Sequence, residues 1–146
     1  MATSTCDKLR AGVTTESAEQ TRALAAALAV ELPADATVAL HGNLGVGKTT
    51  FVQGLAQGLG VAGPVTSPTF AIYEIYAGKP RRLVHLDAYR IENEHQLESL
   101  LLDEFLLSPY CLAVEWPEKV AGLLPPDAWH VDLSITEGDR HRIVLR

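Results

Sequence analysis

Gly42, Gly47, Lys48 and Thr49 stand at the spacing G-x-x-x-x-G-K-[ST] inside the stretch HGNLGVGKTTF, residues 41–51. Glycines lack Cβ, so successive backbone N–H groups can turn inward around an anion. A lysine directly after such a turn supplies a point charge for outer phosphates, and the hydroxyl that follows can ligate Mg²⁺. The spacing therefore reads as a P-loop for the phosphate chain of a nucleotide. Gly42, Asn43, Leu44, Gly45, Val46 and Gly47 would form the cradle, with Lys48, Thr49 and Thr50 opening the helix behind it.

Such a cradle needs a strand before it and a helix after it. TVAL, residues 37–40, is β-branched and apolar and predicts a buried strand. TFVQGLAQGL, residues 50–59, carries Phe51, Leu55 and Leu59 at helical spacing, and a helix N-terminus adds its dipole to a phosphate site. The chemistry also calls for a carboxylate at the end of a buried strand to hold the cation, directly or through water. LVHLD ends in Asp87 and CLAVE ends in Glu115, and spacing does not choose between them. Trp116 could stack on a base, or simply close the rim of a core. No guanine-reading N-K-x-D segment is present, which favours ATP over GTP. His41 and His85 sit in apolar strand contexts and read as hydrogen-bonded histidines packed beside strand ends, ahead of any catalytic role.

Further elements follow from local pattern. KLRAGV, residues 8–13, predicts a short edge strand. Ser17 and Gln20 have capping-box form, and Leu24, Leu28 and Leu32 continue it as a helix from about Ser17 to Glu31, stopped by Pro33. VTSPTF, residues 65–70, is loop chemistry. FAIYEIYAGKPRRLVHLDAY predicts an antiparallel hairpin turning at AGKP, with Lys79–Arg82 a solvated turn. Glu92 to Leu107 predicts one or two helices, and YCLAVEW, residues 110–116, a buried strand ended by Pro117. AWHVDLSI and RHRIVLR flank TEGD as a last hairpin. Strands and helices alternating around the P-loop predict an α/β three-layer domain with a mixed sheet, one domain over 1–146, without repeat or linker.

The net charge of −6 argues against gripping nucleic acid unaided, and leaves open a nucleic-acid pathway in which a partner holds the RNA. Cys6 and Cys111 form no C-x-x-C pair, which points to a reducing compartment. The N-terminus lacks a signal-peptide core, and ALAAALAVEL, residues 23–32, is too short to span a bilayer, so a cytoplasmic protein without membrane contact is expected.

HGNLGVGKTTFVQGLAQGLG, VTSPTF, HLDAYR and AVEWPEKV…LP occur in this order and at fitting distances. Together they resemble the TsaE (YjeE) family, small bacterial P-loop ATPases needed to make threonylcarbamoyladenosine in tRNA. The resemblance is strongest over residues 38–125. It implies a three-layer α/β fold, Mg·ATP binding, weak ATPase activity and association with the TsaB–TsaD pair. Residue by residue, it implies that Gly42–Gly47 and Lys48 hold phosphates and that Thr49 ligates Mg²⁺. Thr66 and Ser67 would lie in a switch-like loop. Asp87 would be the Walker-B-like aspartate, Glu115 a second acid by the metal, and Trp116 a neighbour of the base. The family usually has Asp where this chain has Asn43, which implies a tuned site.

Three activities compete: an ATP-hydrolysing accessory factor, a small-molecule P-loop kinase, and a nucleotide-dependent switch without useful turnover. A kinase needs arginines on a lid. Arg81 and Arg82 stand at the predicted hairpin tip and Arg90 follows Asp87, so the first reading is preferred. No arginine finger in cis is evident, so hydrolysis by the free chain should be slow.

Overall fold

Residues 36–40 are buried without interruption, as expected of a strand covered on both faces. They belong to the strand at the centre of a seven-stranded sheet. The structure, a computed structural model, describes residues 4–43, 45–66, 72–79, 81–98, 104 and 106–146. The described elements run α1 (Thr5–Ala11), β1 (Val13–Thr15), α2 (Ala18–Glu31), β2 (Ala36–His41), α3 (Lys48–Gly58), β3 (Tyr73–Tyr76), β4 (Arg82–Asp87), α4 (Glu94–Glu98), β5 (Tyr110–Glu115), β6 (Trp129–Thr136) and β7 (Arg140–Leu145). Short 3-10 segments cover Pro117–Leu123 and Glu137–Asp139.

The sheet order is β1-β7-β6-β2-β5-β4-β3. β6, β2, β5 and β4 run parallel, and β1, β7 and β3 are added antiparallel at the margins. This is the mixed sheet expected. On one face, Val38, Leu40, Leu83, Cys111 and Ala113 pack with Leu28 of α2 and Phe51 and Leu55 of α3. On the other, Val84, Leu86, Leu112 and Val114 pack with Val120 of the first 3-10 segment. Side chains alternate along a strand, so the odd positions of β4 and β5 face α3. That parity puts His85, Asp87 and Glu115 on the same side of the sheet as the P-loop helix.

Two small-residue contacts set how closely α2 and α3 approach. A Cβ on Gly54 would stand 2.4 Å from the Arg22 carbonyl oxygen, and one on Gly58 would stand 2.5 Å from that of Ala26. α2 starts as its sequence says: Ser17 Oγ accepts from the Gln20 N–H at 3.1 Å. In return, Gln20 Oε1 accepts the Glu16 N–H at 2.7 Å, one residue earlier than a capping box would place it.

The structure corrects two expectations. Residues 8–11 belong to a helix, and the edge strand begins only at Val13. Ser4 Oγ caps the Asp7 N–H at 3.0 Å, and the Glu31 carboxylate accepts the Thr5 and Cys6 N–H groups at 2.8 and 3.1 Å. These contacts satisfy the orphan donors of a first turn, and Gly12, at φ 99°, ends the helix. The second correction concerns Arg81, which is buried and does not sit on a solvated turn. Its guanidinium donates to the carbonyls of Pro33, Ala29 and Leu32 at 2.5, 3.0 and 2.9 Å, closing the C-terminus of α2. Of the helical stretch expected over Glu92–Leu107, α4 is described, while residues 99–103 and 105 lie outside the described residues. Both hairpins form as expected. Among the described residues no helix is long and apolar enough to cross a membrane.

Candidate functional site

The loop from Gly42 to Gly47 leaves the end of β2 and turns into α3, which begins at Lys48. Two glycines are dictated by geometry. At Gly42, φ is 151°, and a Cβ would stand 2.6 Å from Val46 Cγ2 and 2.7 Å from the Leu133 carbonyl oxygen. Gly47 is the N-cap of α3 in the left-handed region, at φ 96°, and no side chain caps that end. The first N–H groups of a helix have no intrahelical acceptor, so this terminus offers donors and positive dipole toward the loop. The loop is braced from the C-terminal hairpin: His141 Nδ1 donates to the Val46 carbonyl at 3.0 Å. The Val46 N–H in turn donates to the Asn43 carbonyl at 3.3 Å.

Lys48 is buried, and its ammonium donates to the Gly42 carbonyl at 2.8 Å. The same nitrogen lies 3.6 Å from the centre of the Trp116 ring, a cation–π contact. Burial holds the Lys48 pKa below the ordinary lysine value, and the charges of Glu115, Glu118 and Asp87 oppose that shift. Trp116 takes a left-handed backbone conformation, φ 59° and ψ 53°, a strained state for a bulky residue. Tyr89 tilts against Trp116 at 5.2 Å between ring centres, and Lys119 donates to the Tyr89 carbonyl.

Asp87 and Glu115 are register partners on adjacent parallel strands. Glu115 is buried, and its Oε2 accepts the Thr49 hydroxyl at 3.3 Å and His85 Nε2 at 2.5 Å. Asp87 Oδ1 accepts the Tyr89 N–H at 3.0 Å. Gly45, Gly47, Lys48, Thr49, Asp87, Tyr89, Glu115 and Trp116 thus line one cavity of about 170 Å³. One cation, the hydroxyls of Thr49 and Tyr89, and two carboxylates line it beside a helix N-terminus. Among the described residues no three His, Cys, Asp or Glu side chains form a ready metal cage. The donor set fits Mg²⁺ that arrives with phosphate, since that ion takes one or two carboxylates and completes its shell from phosphate and water.

Of the residues expected from sequence, Lys48, Thr49, Asp87, Glu115, Trp116, Gly45 and Gly47 meet at this cavity. Trp116 lies against the lysine. Gly42, Asn43 and Val46 shape the loop, and Thr50 follows in the first turn of α3. Thr66 lines a different groove of about 300 Å³ with Gln53 and Val65. Leu44 and Ser67 lie outside the described residues. Sequence reasoning missed His141, and it missed His130, whose Nδ1 meets His41 Nε2 at 2.8 Å. Both come from the C-terminal hairpin, whose place beside β2 no local pattern announces.

The model of the TsaE family, "Threonylcarbamoyl adenosine biosynthesis protein TsaE", matches residues 15–144. The chain belongs to the TsaE family. It is 36% identical over 127 residues to the Bacillus subtilis tRNA threonylcarbamoyladenosine biosynthesis protein TsaE, covering 87% of this chain and 79% of that one. It is 42% identical over 121 residues to the Streptomyces coelicolor protein of the same name, covering 81% of each. The crystal structure of Bacillus subtilis YdiB superposes with a TM-score of 0.70 at 30% identity, over 90% of this chain and 81% of that one. TsaE membership and the strand, glycine loop and helix around Lys48 mark the chain as a nucleotide-binding protein of the P-loop type.

Proposed function

We propose that the chain is a single-domain, Mg²⁺-dependent ATPase of slow turnover that serves threonylcarbamoyladenosine modification of tRNA. In this reading it acts on a TsaB–TsaD-type complex, meets tRNA only through those partners, and works in the cytoplasm without a membrane. The observation that carries the reading is the convergence of Lys48, Thr49, Asp87 and Glu115 at the open N-terminus of α3. The family membership and the names of the relatives support the pathway.

The mechanism follows from the groups present. The cradle N–H groups and the α3 terminus bind the phosphate chain. Lys48 leaves the Gly42 carbonyl to meet an outer phosphate, and Trp116 keeps water from its other side. Bound Mg²⁺ offsets the charge that gathers on the phosphates. Thr49 would hold that ion through its hydroxyl, with Asp87 fixing its water shell. Glu115, longer in reach, would orient the attacking water. Thr66 and Ser67 are proposed to read the terminal phosphate as a switch loop. A lid arginine would favour the kinase reading, but Arg81 is committed to the carbonyls of α2.

Product analysis tests this. ADP and free phosphate should form in equal amounts, slowly with the chain alone and faster with TsaB and TsaD. A phosphorylated metabolite would overturn it. Asp87→Asn should impair both Mg·ATP binding and turnover, and Glu115→Gln should lower turnover more than affinity. A Glu115→Gln chain that loses Mg·ADP affinity as severely as Thr49→Ala would make Glu115 the metal ligand.

A further inference from the structure

His85 is a fully buried imidazole in β4, flanked along the strand by buried Leu83, Val84 and Leu86. Leucine or valine would fill such a place without a polar atom to satisfy. Its Nε2 lies 2.5 Å from Glu115 Oε2, and its Nδ1 has no hydrogen-bond partner among the described residues. An imidazole nitrogen this close to a carboxylate oxygen carries its proton and donates it, because the carboxylate only accepts. His85 is thus a rigid donor with a single target.

That target is held from two directions. Glu115 Oε2 takes one donor from β4, His85, and one from α3, the Thr49 hydroxyl at 3.3 Å. Asp87 ends β4 in register beside Glu115 at the end of β5, so two carboxylates stand side by side on adjacent strands. A glutamate has three side-chain torsions, and without a fixed donor it would turn away from its neighbour. The buried, unpartnered Nδ1 is a stability cost that core packing does not require.

We propose that His85 is a positioning residue: its Nε2–H holds the Glu115 carboxylate toward Thr49, in the orientation that serves the phosphate site. This deepens the reading of the site as an Mg·ATP centre and rests on it. His85 touches no substrate; it acts through Glu115.

Two variants and two readouts test it. His85→Leu keeps an apolar filler and removes the donor. His85→Gln keeps an N–H near the position of Nε2. The first readout needs no nucleotide: in the ¹⁵N imidazole spectrum, the histidine signals lost in His85→Gln belong to His85. They should show a proton on Nε2, and Glu115→Gln should shift them. The second is steady-state turnover with Mg·ATP. His85→Leu should melt near the wild-type temperature and lose about 10- to 100-fold in kcat, with KM changed far less. His85→Gln should recover to within about threefold of wild type. An Nε2 without a proton, full turnover in His85→Leu, or equal losses in the two variants would overturn the inference. A wild-type chain that neither binds nor turns over Mg·ATP would overturn the ATPase reading instead, and the tautomer would still decide whether His85 aims at Glu115.

Discussion

Arg81→Met removes the guanidinium from the end of α2 while keeping an unbranched stem of similar shape. Three hydrogen bonds are lost, to Pro33, Ala29 and Leu32, the last two in buried surroundings. Each charge-assisted bond contributes about 1.5–3 kcal/mol, and a cation at a helix C-terminus adds about 0.3–1 kcal/mol. Water entering beside the freed carbonyls recovers part of that, and the three bonds share one head group, so the net loss should be about 3 kcal/mol. Unfolding entropy is about 2.1 cal/mol/K per residue. Over 146 residues the melting temperature should therefore fall by about 10 °C. Lys79→Met, an exposed neighbour on the same hairpin, should change stability by less than about 0.5 kcal/mol. Thermal melts by circular dichroism, with urea titration for the free energies, read both variants. An Arg81→Met protein melting within about 2 °C of wild type would refute the reasoning, because it would leave the α2 carbonyls without need of the cation.

The Glu31 carboxylate is held at a pKa of about 2, chiefly by the backbone N–H of Cys6. A depressed carboxylate contributes stability above its unfolded value near 4.5 and loses it as pH falls toward 2, so wild type should weaken through that window and Glu31→Gln should lack that component of the acid transition. The Cys6 thiol, pushed up to about 11 by burial and then by its hydrogen bond to Glu31, should react slowly with a disulfide reagent at neutral pH and faster in Glu31→Gln. Gly54→Ala gains about 1 kcal/mol of helix propensity but drives a methyl to 2.4 Å from the Arg22 carbonyl oxygen. Overpacking should win by about 1–2 kcal/mol, and a raised melting temperature would show that α2 and α3 can part freely. Thr49→Ala should weaken nucleotide binding in Mg²⁺ more than in EDTA, and equal losses in titration calorimetry would remove its hydroxyl from the cation's shell.

What the sequence made legible was whatever a short window decides. The glycines at 42 and 47 are demanded by backbone angles within one loop. The strands ending at Asp87 and Glu115 are six residues long with largely apolar interiors, and alternation alone sets which face they present. What stayed hidden depends on distant partners. Residues 8–11 are helical because Ser4 caps the start and the Glu31 carboxylate, 25 and 26 positions away, receives two N–H groups. Arg81 reads as a turn residue until α2, some 50 positions earlier, brings its C-terminal carbonyls alongside. His130 meets His41 and His141 reaches the P-loop only because β6 pairs with β2, a pairing across about 90 residues. The sequence alone reads His85 as a histidine packed beside a strand end; its burial agrees, while the aim of Nε2 at Glu115 depends on the β4–β5 register.

Calorimetric titration of Mg·ATP into the wild-type chain and into Lys48→Ala tests the central claim most directly. Lys48 is the sole cation lining the cavity among the described residues, and it faces a carbonyl that a phosphate can replace. Wild type should bind with one site per chain and only weakly without Mg²⁺. Lys48→Ala should lose about 10- to 100-fold in affinity, the effect of one charge-assisted contact of about 1.5–3 kcal/mol, while remaining cooperatively folded in the absence of nucleotide. Equal affinity in the two proteins, or no saturable binding by wild type, would contradict the account.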